Sequence, residues 1–182
     1  EGDATEYFCV GTAFCLPTEM EPTSGRILVF AVRDRALVLA AEREVKGAVY
    51  NLSAMAGRLL AGINSKLELF RWAPREDDDA AHALVGECGH RGHILALYVA
   101  TRGHYIVVGD LMKSVSLLMY RPEENAIVEC ARDFNANWMS AVEALDEDTF
   151  VGAENSYNLF TVRRNADAGT DEERQRLETV GE

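Results

Sequence analysis

One pattern constrains this chain more than any other: an apolar strand closing on glycine, a short polar turn, and a second apolar strand, then the same again. Leu59-Leu60-Ala61-Gly62-Ile63-Asn64 is followed by Leu67-Glu68-Leu69-Phe70, and Ile106-Val107-Val108-Gly109-Asp110 by Ser116-Leu117-Leu118-Met119-Tyr120. Phe150-Val151-Gly152-Ala153-Glu154 is followed by Tyr157-Asn158-Leu159-Phe160. An earlier copy runs Phe8-Cys9-Val10-Gly11-Thr12 and, after a longer loop, Ile27-Leu28-Val29-Phe30. The glycines recur about every 45 residues, the period of a four-stranded propeller blade. Glycine suits a place where the chain turns tightly or where backbones converge near a central channel. A β-sandwich of the same strand count supplies no reason for the repeat, and a β-helix needs a shorter one. The fold class read from the sequence is therefore all-β, part of a WD40-like β-propeller of about four blade units.

Further strand-length runs rich in Val, Ile, Leu, Tyr and Phe fit the same scheme: Tyr7–Cys15, Arg26–Val32, Ala36–Glu44, Ile94–Ala100, Ala126–Cys130 and Met139–Leu145. A helical signal is confined to the tail. Thr170-Asp171-Glu172-Glu173 reads as a capping box with Thr170 as N-cap, which predicts a short polar helix over 170–179. A closed ring needs more blades than these, and the chain opens without Met. Residues 1–182 are expected to be an incomplete propeller segment of a longer protein.

Charge narrows the function. The net charge is −12, with 30 acidic against 18 basic residues. Affinity for phosphates comes from clustered Lys and Arg, so this segment is expected neither to bind nucleic acid directly nor to dock on an anionic membrane. No apolar run approaches the roughly 20 residues that span a bilayer. The four cysteines, at 9, 15, 88 and 130, form no C-x-x-C pair and read as reduced thiols of a nuclear or cytoplasmic protein.

Motifs for chemistry do not assemble. Cys88-Gly89-His90-Arg91-Gly92-His93 gathers soft ligands, yet zinc needs four of them at other spacings, so it reads as a polar loop between blades. Asp77-Asp78-Asp79 lacks the alternating ligands and the glycine of a calcium loop and reads as a solvated insertion. Asp146-Glu147-Asp148 reads as a hairpin turn. There is no G-x-S-x-G, P-loop or H-E-x-x-H pattern. The expectation is a protein without catalysis, cofactor or metal. Aromatic residues are more telling: Trp138 follows a polar, turn-rich approach, and is either an interaction anchor or a plug between blades. Tyr50 and Tyr98 read as equivalent places, at the start or along the first strand of their blades, so that the three aromatics at matching repeat positions are expected on one region of the ring.

Several blocks carry a resemblance: Lys46-Gly47-Ala48-Val49-Tyr50, Val108-Gly109-Asp110-Leu111-Met112 with Ser114-Val115, and Asp133-Phe134-Asn135 with the run from Asn137 to Glu143. Gly152-Ala153-Glu154-Asn155 and Thr170 to Gln175 complete the set. In this order they closely resemble the damage-specific DNA-binding protein 1 family, the large adaptors of cullin-4 ubiquitin ligases. Large subunits of a cleavage-and-polyadenylation complex and of a splicing particle share the architecture, which leaves an RNA-processing scaffold as the alternative. The resemblance implies a segment of the third propeller. In that family the first and third propellers of one chain form a pocket for a helical segment of substrate receptors, many of them WD40 proteins, and the middle propeller holds the cullin. It implies a role in ubiquitination during DNA repair and replication control. The positions it makes partner-binding are Ala13, Cys15, Met20, Ala48, Tyr50, Asn51, Leu95, Leu97, Tyr98, Leu111 and Trp138. This chain departs from the family at Leu95, commonly Met, at Asn51, commonly Ser, and in a longer, more acidic loop from Ala73 to Val85.

Overall fold

In the computed structural model, residues 6–75 and 81–181 are described. They form four antiparallel sheets, each a simple meander. The first comprises β1 (Tyr7–Gly11), β2 (Gly25–Arg33) and β3 (Ala36–Val45). The second comprises β4 (Val49–Met55), β5 (Arg58–Ile63), β6 (Lys66–Pro74) and β7 (His82–Arg91). The third runs through β8 (Ala96–Arg102), β9 (Tyr105–Asp110), β10 (Val115–Arg121) and β11 (Ala126–Arg132). The fourth holds β12 (Met139–Ala144), β13 (Thr149–Glu154), β14 (Leu159–Arg164) and β15 (Leu177–Gly181).

Consecutive sheets stack face to face, and the apolar alternation along the strands feeds three separate cores. One core, with Ile27, Val29, Ile63 and Phe70, lies between the first two sheets. A second, with Leu60, Leu69, Ile106 and Leu118, joins the second to the third. The last, with Val107, Leu117, Phe150 and Val162, joins the third to the fourth. Each fully buried side chain of this size contributes about 1.5–3 kcal/mol. Strand β4 lies against β8, and β8 against β12, so these are the inner strands of a propeller. Strand β1 meets β4 as β5 meets β8 and β9 meets β12. The three strands of the first sheet therefore match the second to fourth strands of the others. The fold is an all-β propeller segment.

Gly11, Gly62 and Gly109 sit where one sheet meets the next, while Gly152 is crowded by Met139 and Phe160 of its own sheet. A Cβ on Gly62 would lie 2.8 Å from the Ala96 carbonyl oxygen, a backbone atom of the next blade. Gly62→Ala is expected to destabilise the protein by about 1–3 kcal/mol, the range for overpacking, as read by urea unfolding.

Three strands escape the sequence pattern. Strand β4 contains Asn51 and Ser53, β15 follows a helical signal, and β7 carries two glycines and two histidines. The loop reading of Cys88–His93 is thereby corrected, since Cys88 to Arg91 belong to β7 and pair across β6. Gly89 suits that strand because a Cβ there would lie 2.8 Å from the Leu67 carbonyl oxygen. His93, just beyond the strand, faces the Glu129 carboxylate at 3.5 Å. Among the described residues no cluster of His, Cys, Asp and Glu could hold a metal ion. The Ala73–Val85 loop also shortens, because β6 runs to Pro74 and β7 starts at His82. Asp77 to Asp79 lie outside the described residues. Asp146 does sit in a hairpin turn, accepting the N–H groups of Asp148 and Thr149.

The tail helix is a second correction. Only Asp171–Arg174 is helical, a single turn with the capping box on Thr170 and Glu173. Leu177 then enters the last core, and residues 177–181 pair with β14. Burying Leu177 and filling the sheet edge outweighs the extension of a polar helix with no apolar face.

Candidate functional site

The register of the meanders places one end of every inner strand beside one set of turns. Val49 pairs with Ile63, Ala96 with Asp110 and Met139 with Glu154. The starts of β4, β8 and β12 therefore share a rim with the Asn64–Ser65 turn, the 111–114 loop and the 155–158 turn. The long 12–24 loop joins them, since Val49 N–H donates to the Thr12 carbonyl. All eleven positions implied by the resemblance fall on this rim: Ala13, Cys15 and Met20 on the 12–24 loop, Ala48, Tyr50 and Asn51 at β4, Leu95, Leu97 and Tyr98 at β8, Leu111 after β9, and Trp138 before β12.

The positions differ in what they offer a partner. Trp138 is 49% exposed and Tyr50 40%, while Met20 stands fully in solvent. Trp138 is thus no plug between blades. Ala48 is buried and forms floor rather than surface. Tyr98 packs partly against the core shared by the third and fourth sheets. Cys15 is exposed, and burial, with Glu21 and then Cys15 nearby, pushes the Tyr50 phenol up from its ordinary value. Burial raises the thiols of Cys9, Cys88 and Cys130, which keeps them protonated and unreactive. Cys15 is expected to be alkylated first when iodoacetamide is added at neutral pH, as mass spectrometry would show.

Tyr50, Tyr98 and Trp138 do not hold equivalent positions. Each inner strand carries a β-bulge at its second residue, so Tyr50, Leu97 and Ser140 are the inserted residues. Tyr98 follows its bulge, and Trp138 precedes the first paired residue. A bulge breaks the alternation of side chains and re-aims those at the strand end.

Polar side chains hold the rim, and the sequence pattern did not single them out. Asp110 is only 3% exposed. Its Oδ2 accepts the N–H groups of Ile94 (2.8 Å) and Leu95 (3.1 Å), and its Oδ1 those of Met112 and Lys113 (both 3.0 Å). One carboxylate thus ties the approach to β8 to the 111–114 loop and fixes Leu95 beside Leu111, whose N–H donates to the Leu95 carbonyl. Buried Asp133 accepts the Ser114 hydroxyl at 2.6 Å and the Asn135 side chain at 2.8 Å. Ser114 N–H in turn donates to the Asn137 carbonyl, next to Trp138. Asn64 bridges the other side: its Oδ1 accepts Ala48 N–H at 2.6 Å, and its Nδ2 donates to the Pro22 carbonyl at 2.9 Å. The signal was present as Asp or Asn at the junction of an apolar strand and a turn, where short side chains capture loop N–H groups.

The Oδ1 of Asn51 is buried with no hydrogen-bond partner among the described residues. What the rim brings together is therefore apolar and aromatic surface on a rigid backbone frame.

Comparison with known proteins agrees with the sequence blocks. The chain is 64% identical over 180 residues to DNA damage-binding protein 1 of Oryza sativa subsp. japonica, covering 99% of this chain and 16% of that protein. It is 63% identical, with the same coverage, to DNA damage-binding protein 1 of Solanum lycopersicum and to DNA damage-binding protein 1a of Arabidopsis thaliana. The chain thus spans about one sixth of the length of these relatives. The family described as CPSF A subunit region matches residues 1–182, and with its whole length matched the chain belongs to that family.

Proposed function

We propose that this segment is a non-catalytic docking surface of a cullin-4 ubiquitin-ligase adaptor, and that its rim receives a helical segment of a substrate receptor. The observation that carries the reading is the rim itself. Tyr50 and Trp138 are exposed there beside leucines and small residues, at the starts of β4 and β12. Aromatic anchors on a rigid frame are the usual source of binding energy in helix-in-groove recognition. The likeness to proteins named DNA damage-binding protein 1 supports the assignment to that adaptor. Within the parent protein, the first propeller supplies the facing wall and another propeller holds the cullin. The setting is the nucleus and cytoplasm, and the work is DNA repair and replication control.

The test is affinity capture of the full-length protein from nuclear extract. Cullin-4 and WD40 receptors are the expected companions, and they should depend on the rim. Recovery of polyadenylation or splicing factors without a cullin would overturn the reading in favour of an RNA-processing scaffold.

A further inference from the structure

Seven non-glycine residues among those described have positive φ, a backbone region that bulky L-residues avoid. Most have a local reason. Asp34, Asn64 and Asn125 are residue types that tolerate it, Ser114 is held by its hydroxyl bond to Asp133, and Arg35 and Ala56 sit in two-residue hairpin turns at the end of their sheets opposite the rim. Tyr157 is different. It has φ 70° and is 100% exposed, so no packing within the described residues repays the strain. A glycine would satisfy the backbone of this turn; the ring is what a glycine lacks.

The turn that carries it is rigid and adjoins the candidate site. Tyr157 N–H donates to the Glu154 carbonyl at 3.1 Å, and Asn155 N–H donates to the Trp138 carbonyl at 2.9 Å. The Glu154 carboxylate accepts Ser156 N–H at 3.1 Å and the Asn158 amide at 2.7 Å. The bond from Ser156 is the main cause that draws its pKa below the ordinary carboxylate value. The tip bearing Tyr157 is thereby pinned beside Trp138. Strained backbone held by a well-bonded frame is characteristic of ligand clamps.

We infer that Tyr157 is a further contact residue of the rim, a second aromatic beside Trp138 that packs on an apolar side chain of the same incoming helical segment. This rests on the docking function proposed above, and extends the site by a residue that the resemblance did not supply.

The experiment compares the full-length protein with its Tyr157→Ala, Tyr157→Gly and Trp138→Ala variants. It measures affinity for a receptor-derived helical peptide by calorimetry, and the thermal midpoint of each. The expected result is a loss of about tenfold or more in affinity for both Tyr157 variants, the scale of an interface aromatic. The midpoint should be unchanged in Tyr157→Ala and unchanged or higher in Tyr157→Gly. Full affinity in both variants, with Trp138→Ala weakened, would overturn the contact role of Tyr157 and leave the docking function standing. A midpoint that falls in both would overturn it too, by showing that the ring packs within the protein. Affinity lost in Tyr157→Ala but restored in Tyr157→Gly would reduce Tyr157 to a turn residue. Full affinity in all three would remove the docking reading and this inference together.

Discussion

Asp110→Ala is expected to destabilise the protein by about 3 kcal/mol and to weaken partner binding as well. Four backbone N–H groups converge on this one buried carboxylate. Each hydrogen bond to a charged acceptor is worth about 1.5–3 kcal/mol, and water reaching the half-buried donors offsets part of the sum. Asp110→Asn separates the contributions: it keeps the shape and one acceptor oxygen, so two of the four donors remain served. Its loss should be about half that of the alanine variant. Urea unfolding gives the stability, and equal midpoints for Asp110→Ala and the parent would show that the loops hold without the carboxylate. The binding consequence follows from geometry, because Asp110 positions Leu95 and Leu111 without facing the partner itself.

Trp138→Ala should weaken receptor binding by about 2 kcal/mol or more, roughly thirtyfold, while leaving the fold intact. Half of the indole surface is open to solvent, so its removal opens no internal cavity. Its backbone stays fixed by the bond from Asn155 and by Asn137, which accepts from Ser114. The measurement is receptor affinity of the full-length variant, with circular dichroism to confirm the fold. Unchanged affinity would mean that the rim is not the docking surface.

The fold was largely legible because blade stacking imposes two visible demands: apolar alternation, and glycine where one blade's backbone crosses the next. Gly62 and the runs around it state both. Strand β7 was missed because Gly86, Gly89 and its histidines imitate a loop, and only pairing with β6 shows otherwise. The tail misled because the capping box is real but one turn long, and Leu177 belongs to a core formed by distant residues. At the site, the rim positions came from a family likeness and the structure gathers them. The sequence alone did not reveal Asp110, Asp133 or Asn64. Their partners are loop N–H, C=O and hydroxyl groups up to tens of residues away, so the local cue, a short polar side chain where a strand meets a turn, does not tell which loops it ties.

The bulge at the second residue of each inner strand has a consequence for how such a surface changes over generations. Below the bulge, side chains must mesh with the neighbouring blade, so a change of size there costs packing. At and above it, alternation is reset, so the blades present tyrosine, leucine and serine (Tyr50, Leu97 and Ser140) from the same mount. Mutation can therefore change the surface that one blade presents without repacking its neighbours. A scaffold divided in this way can acquire new surfaces while its architecture stays still.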